Sequence, residues 1–140
     1  MKLKVAIIFG GKSAEYEVSL KSATNIYKSI DRTHFIPILL GIDKSGEWFY
    51  DSSYATDDIN LADNDYFVEA TNVYLSVVGN AVNVISKKEN RDLISFDIAF
   101  PIVHGTFGED GTLQGILKSM DVPFVGPDVL GSAIAMDKDV

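Results

Sequence analysis

No cysteine occurs anywhere in the 140 residues, which excludes a disulfide framework and thiolate chemistry and fits a reducing compartment. Histidine is almost as scarce. Only His34 and His104 are present, and His104 has no second imidazole near it in sequence, so spacing gives no metal site: the adjacent acids Glu109 and Asp110 do not readily converge on one ion. Basic residues are outnumbered twelve to twenty, with a formal charge of −8 and no lysine or arginine cluster. That balance argues against a nucleic-acid duplex or an anionic membrane as partner. No apolar run approaches the roughly 20 residues of a spanning helix. The opening MKLKVAIIFGG starts as a signal peptide does, but its apolar run is too short and stops at Gly10-Gly11. It is read as a buried strand, and the expected location is cytoplasmic.

What remains is an ordinary globular composition, 46% hydrophobic and 23% charged, sufficient for one domain with its own core. Leu3 to Phe9 is apolar apart from Lys4 and suits a parallel strand covered on both faces. Ala23, Ile26, Tyr27 and Ile30 then recur at helical spacing, with Ser13 placed to cap the helix amino end and an end near Ile30-Asp31. Phe35 to Ile42 is the next strand, tolerating Pro37 near its start. Together these make a βαβ unit. From Asp43 to Asn64 the pattern loosens into a decoration of the main sheet: a turn at Lys44-Ser45-Gly46, a short strand over Glu47 to Tyr50, then an acidic loop. Val73 to Val78 and Ala81 to Ile85, joined at Gly79-Asn80, read as a β-hairpin, and Lys87 to Arg91 as a solvated turn.

The stretch from Phe96 to Met120 stands out. The run FDIAFPIV reads as one strand, His104 to Gly111 as a glycine-rich polar loop, and Leu113, Ile116, Leu117 and Met120 as the face of a following helix. Val122 to Val125 is a short strand and Val129 to Met136 a last helical pattern. The loop's glycines let backbone approach a ligand, and it lies beyond a strand's carboxyl end, where open α/β sheets bind ligands. The segment Gly10 to Glu15 occupies the same kind of position. Gly11-Lys12-Ser13 matches the end of a P-loop, but its first glycine position is Ala6, inside the strand, which leaves too little loop to wrap phosphates. The dinucleotide fingerprint is absent as well. Glu15 and Glu17 have a plain role as first-turn acids that complement the helix dipole, and Glu15 has a second one, holding a substrate ammonium. Glu109 and Asp110 have the plain role of caps, and His34 is read as structural.

Three blocks then appear in order: FGGKSAEYEVSLKSA (9 to 23), PIVHGTFGEDGTLQG (101 to 115) and VPFVGPDVLGSAIAMDK (122 to 138). Together they resemble the signature blocks of the amino-terminal part of D-alanine-D-alanine ligases, of the ATP-grasp family. The resemblance implies an α/β, three-layer, mostly parallel sheet, the Rossmann-like pre-ATP-grasp domain, with the hairpin as an insert. It implies an enzyme that phosphorylates one D-alanine with ATP and Mg2+ and lets a second D-alanine attack the acyl phosphate, for peptidoglycan synthesis. By resemblance, Glu15 anchors the first D-alanine's ammonium, Val18 lies beside its methyl group and Ser19 nearby. His104 lies near its carboxylate with Glu109 as partner, and Lys138 lies on the nucleotide side. Partners implied are D-alanine, ATP and a second copy in a homodimer. The resemblance covers only the first part of such an enzyme, so residues 1–140 are expected to be its substrate domain. The ATP-grasp domains, the metal ligands and most nucleotide contacts are expected outside the chain, and the chain alone is expected to be inactive. The alternative is a non-catalytic module binding an amino acid or a nucleotide, which the coding sequence past Val140 distinguishes.

Overall fold

The structure, a computed structural model, describes residues 2–11, 16–52, 66–102 and 122. β1 (Leu3–Gly10), α1 (Tyr16–Ser29) and β2 (Phe35–Ile42) form the first βαβ unit. β1 pairs in parallel with β2, Val5 opposite Pro37 and Phe9 opposite Gly41. Its Ala6, Ile7, Ile8 and Phe9 are wholly buried, as an apolar run without alternation requires. Of the expected face, Ala23 and Tyr27 on α1 and Ile30 just past its end are buried and Ile26 is partly buried, joined by Leu20. The helix packs on the odd-numbered side of β1, where Val5, Ile7 and Phe9 share a cluster with Leu20, Ala23 and Tyr27.

The rest of the sheet consists of β3 (Trp48–Tyr50), β4 (Thr71–Val78), β5 (Ala81–Ser86), β6 (Asp92–Phe96) and β7 (Ile98–Ile102), with a one-turn helix α2 (Tyr66–Glu69) before β4. The seven strands lie in the order β6-β5-β4-β3-β2-β1-β7. Two expectations need correction here. The described sheet is mixed, and only β1–β2 and β1–β7 are parallel, while every pairing from β2 through β6 is antiparallel. The short strand read as part of a decoration, β3, and the two strands of the hairpin, β4 and β5, are members of the same sheet, and short turns such as Gly79-Asn80 can join only antiparallel neighbours. Gly79 takes φ +62° there, which a glycine adopts without strain.

The second correction concerns FDIAFPIV, which is two strands. Phe96 ends β6 and Ile98 begins β7, with Asp97 between them. These are the outermost strands on opposite sides of the sheet. Six gaps of about 4.8 Å would separate them by roughly 29 Å if the sheet were flat, yet two chain steps span at most about 7 Å. The sheet therefore bends back on itself. The bend packs β4 to β6 over the even-numbered face of β1 and β2: Ala6, Ile8 and Leu40 share a core with Val82, Val84, Phe96 and Val122. Asp97 fastens the corner to β1. Its N–H donates to the Lys4 carbonyl at 2.8 Å, and its carboxylate accepts the Lys4 N–H at 2.8 Å.

The helices expected over Leu113 to Met120 and Val129 to Met136, most of the strand over Val122 to Val125, and the Ser13 cap lie outside the described residues.

Candidate functional site

β1 has β2 on one side and β7 on the other, both parallel to it. The chain moves from β1 to β2 in one direction and returns to the opposite flank for β7. The strand order therefore reverses between β1 and β7, and ligands of open α/β sheets bind in the crevice outside the carboxyl ends at such a reversal. The register sets Phe9 against Ile102, so both strands end at the same level.

That edge is built around the end of β1. Gly10 and Gly11 take φ +95° and +102°, in the left-handed region where a side chain is strained. The two amides are then used in opposite directions. Gly11 N–H donates to the Ile42 carbonyl of β2 at 2.8 Å. Gly10 N–H donates to the Ser19 hydroxyl at 2.8 Å, and that hydroxyl donates onward to the Ile102 carbonyl of β7. Ser19 is wholly buried, whereas the preceding Val18 is 51% exposed. One turn of α1 thus carries a polar bridge inward and an apolar surface outward.

Behind this edge lies an aromatic floor. The Phe9 ring meets Tyr66 edge-on at 5.1 Å between centroids, and Phe67 meets Phe49 edge-on at 5.4 Å. Tyr66 is 1% exposed. Its hydroxyl donates to the Leu39 carbonyl at 2.9 Å and accepts the Asp51 N–H at 2.8 Å. At the end of β2, Asp43 is occupied by its own turn, accepting from the Ser45 hydroxyl at 2.6 Å and the Glu47 N–H at 3.0 Å. Burial pushes its carboxyl up, but the hydrogen bonds from Ser45, Glu47 and Gly46 outweigh that and hold it below the usual range.

Of the residues singled out from sequence, Val18 and Ser19 are placed at this edge. Glu15, His104, Glu109 and Lys138 lie outside the described residues. In the chain, Glu15 follows Gly11 by a few positions and His104 follows Ile102 closely. Sequence reasoning missed the Ser19 bridge and the Tyr66 pin. The only signal for Ser19 was a polar residue beside Leu20 on the apolar face of a helix. Among the described residues, no group of three His, Asp or Glu side chains could hold a metal ion. No described helix is long and apolar enough to cross a membrane.

A family model for the D-ala D-ala ligase N-terminus matches residues 4–127. The chain belongs to this ligase amino-terminal family. Among relatives, the D-alanine-D-alanine ligase of Oceanobacillus iheyensis is 49% identical over 144 residues, which cover 100% of this chain and 39% of that protein. Among solved structures, the D-alanine-D-alanine ligase of Coxiella burnetii superposes with a TM-score of 0.75 at 34% identity, covering 99% of this chain and 39% of that one. The VanG D-Ala:D-Ser ligase of Enterococcus faecalis gives 0.70 at 39% identity, covering 99% and 40%. The chain therefore spans about two fifths of the length of the ligases it matches.

Proposed function

We propose that this chain is the amino-terminal substrate domain of an ATP-dependent D-alanine-D-alanine ligase serving peptidoglycan synthesis, and that it supplies one wall of the first D-alanine's site. The observation that carries the proposal is the parallel pairing of β1 with β7, which sends the Gly10-Gly11 turn and the segment after Ile102 out of one sheet edge at the reversal point. The comparisons support the same division of labour. One solved relative is named for two D-alanines and another for D-Ala and D-Ser, and this segment matches both, as expected of a domain that serves the substrate they share.

In the proposed reaction a carboxylate oxygen of the first D-alanine takes the γ-phosphoryl group of ATP and ADP leaves. The amine of the second D-alanine then attacks the acyl carbon, and phosphate departs with the carbonyl re-formed. ATP supplies the leaving group that a free carboxylate lacks. The residues of this chain act earlier, by binding and orienting. Glu15 holds the ammonium, Val18 borders the methyl group, and His104, supported by Glu109, lies at the carboxylate. Lys138 offsets phosphate charge on the nucleotide side. By resemblance, Mg2+ and most ATP contacts are assigned to domains outside this chain, and one lysine cannot neutralise a triphosphate. The three-layer arrangement with an inserted hairpin, the homodimer and the cytoplasmic location are further parts of the proposal.

Two results test it. Purified residues 1–140 should form no D-alanyl-D-alanine from D-alanine and ATP, and measurable dipeptide would sink the division of labour. In the full-length enzyme, Glu15→Gln removes the charge that faces the ammonium and should raise the apparent KM for the first D-alanine by about tenfold or more, since a hydrogen bond to a charged group contributes about 1.5–3 kcal/mol. An unchanged KM for that substrate refutes the ammonium role.

A further inference from the structure

We propose that Ser19 is a positioning residue, one that sets the gap between the carboxyl ends of β1 and β7 without touching substrate. The inference rests on the ligase reading above and refines it, because resemblance alone places Ser19 near the first D-alanine. A hydroxyl has one hydrogen and two lone pairs. At Ser19 the hydrogen goes to the Ile102 carbonyl and one lone pair receives the Gly10 N–H. The side chain is wholly buried, so the remaining lone pair faces protein and not the crevice.

The hydroxyl thus joins Gly10 N–H of β1 to Ile102 C=O of β7 through one side-chain oxygen. Phe9 and Ile102 are paired, and one step further on a group from α1 binds both strands. The consequence is a clasp. β1 and β7 are held a fixed distance apart at the level where the site-bearing segments leave them, and the amino-terminal turn of α1 is tied to both. On its other flank β1 is closed normally, by the Gly11 N–H to Ile42 bond. The side-chain clasp is therefore one-sided, on the side where the strand order reverses. Val18, adjacent on the helix and 51% exposed, is carried by the same tether, so the bridge also fixes the apolar surface proposed for the substrate methyl group.

The test compares Ser19→Ala with wild type in the full-length ligase. Alanine suits a helix at least as well as serine, so α1 itself is not weakened. Without substrates, the Gly10 amide should exchange with solvent about tenfold faster, as the loss of a buried hydrogen bond predicts. The apparent KM for the first D-alanine should rise between about tenfold and a hundredfold, the penalty of misplacing groups by an ångström, while the KM for ATP stays within twofold. A raised KM with unchanged Gly10 exchange would mean direct contact with substrate and overturns the proposal. So does a lowered melting temperature with an unchanged KM, the mark of plain packing. If the alanine variant does not fold, Ser19→Cys, with a weaker donor and acceptor of similar shape, is measured against the same outcomes. A wild-type enzyme without dipeptide synthesis overturns the ligase reading instead, and the Gly10 exchange still judges the bridge.

Discussion

Tyr66→Ala is expected to be among the most destabilising single changes in this chain, costing about 3–5 kcal/mol, the range for removing a large buried aromatic side chain. Tyr66 is buried to 1% exposure and meets the rings of Phe9 at 5.1 Å and Phe67 at 5.4 Å. The alanine variant loses that packing and also strands two backbone groups, the Leu39 carbonyl and the Asp51 N–H, which the phenol now satisfies. Tyr66→Phe separates the two effects. It keeps the ring and removes only the hydroxyl, and should cost about 1–3 kcal/mol for the stranded groups. Urea unfolding of both variants measures this directly, as a lower midpoint at an unchanged slope. A loss under 1 kcal/mol for the alanine variant would show that α2 is not a structural part of the domain.

Gly41→Ala is the second large effect, and it arises from too much matter instead of too little. A Cβ at Gly41 would lie 2.8 Å and 2.9 Å from two carbons of the Phe67 ring and 3.0 Å from the Phe9 ring. Neither ring swings away at no cost, because Phe67 is flanked edge-on by Phe49 and Tyr66. Overpacking of this kind costs about 1–3 kcal/mol. If ring contact is the cause, Phe67→Leu should absorb much of the penalty, so Gly41→Ala should cost at least 1 kcal/mol less in that background, the coupling expected of touching residues. Additive losses in the double variant would point elsewhere.

Gly41 also shows where reading the sequence stops. Its neighbours Leu40 and Ile42 belong to a legible apolar run, and β2 occupies the residues that run suggests. Nothing local says that an aromatic ring from a segment twenty-six positions later lies over the glycine. The same division holds across the fold. β1, α1, β2 and the β4–β5 hairpin are written in local patterns, namely apolar runs, helical spacing and the Gly79 turn. β6 is not, because a single acid inside an apolar run looks like a blemish in one strand, and only the partners of Asp97 on Lys4 show it to be a corner. The sheet's mixed character was hidden for a related reason: sheet membership depends on pairings that no window of sequence contains. At the candidate site, Gly10 and Gly11 announced a bend and took positive φ, while the bridge through Ser19 depends on Ile102, eighty-three positions away.

The Asp97 corner has a consequence for biosynthesis. Lys4 and Asp97 are ninety-three positions apart, so at about 5–20 residues per second the first strand leaves the ribosome roughly 5–20 s before its β7 partner exists. During that interval β1 can pair only with β2, and its other flank is a bare apolar edge of the sort that recruits foreign strands. The wall of the site facing that flank is thus completed late in synthesis, and nascent chains shorter than about a hundred residues are where chaperone binding and misassembly of this domain should concentrate.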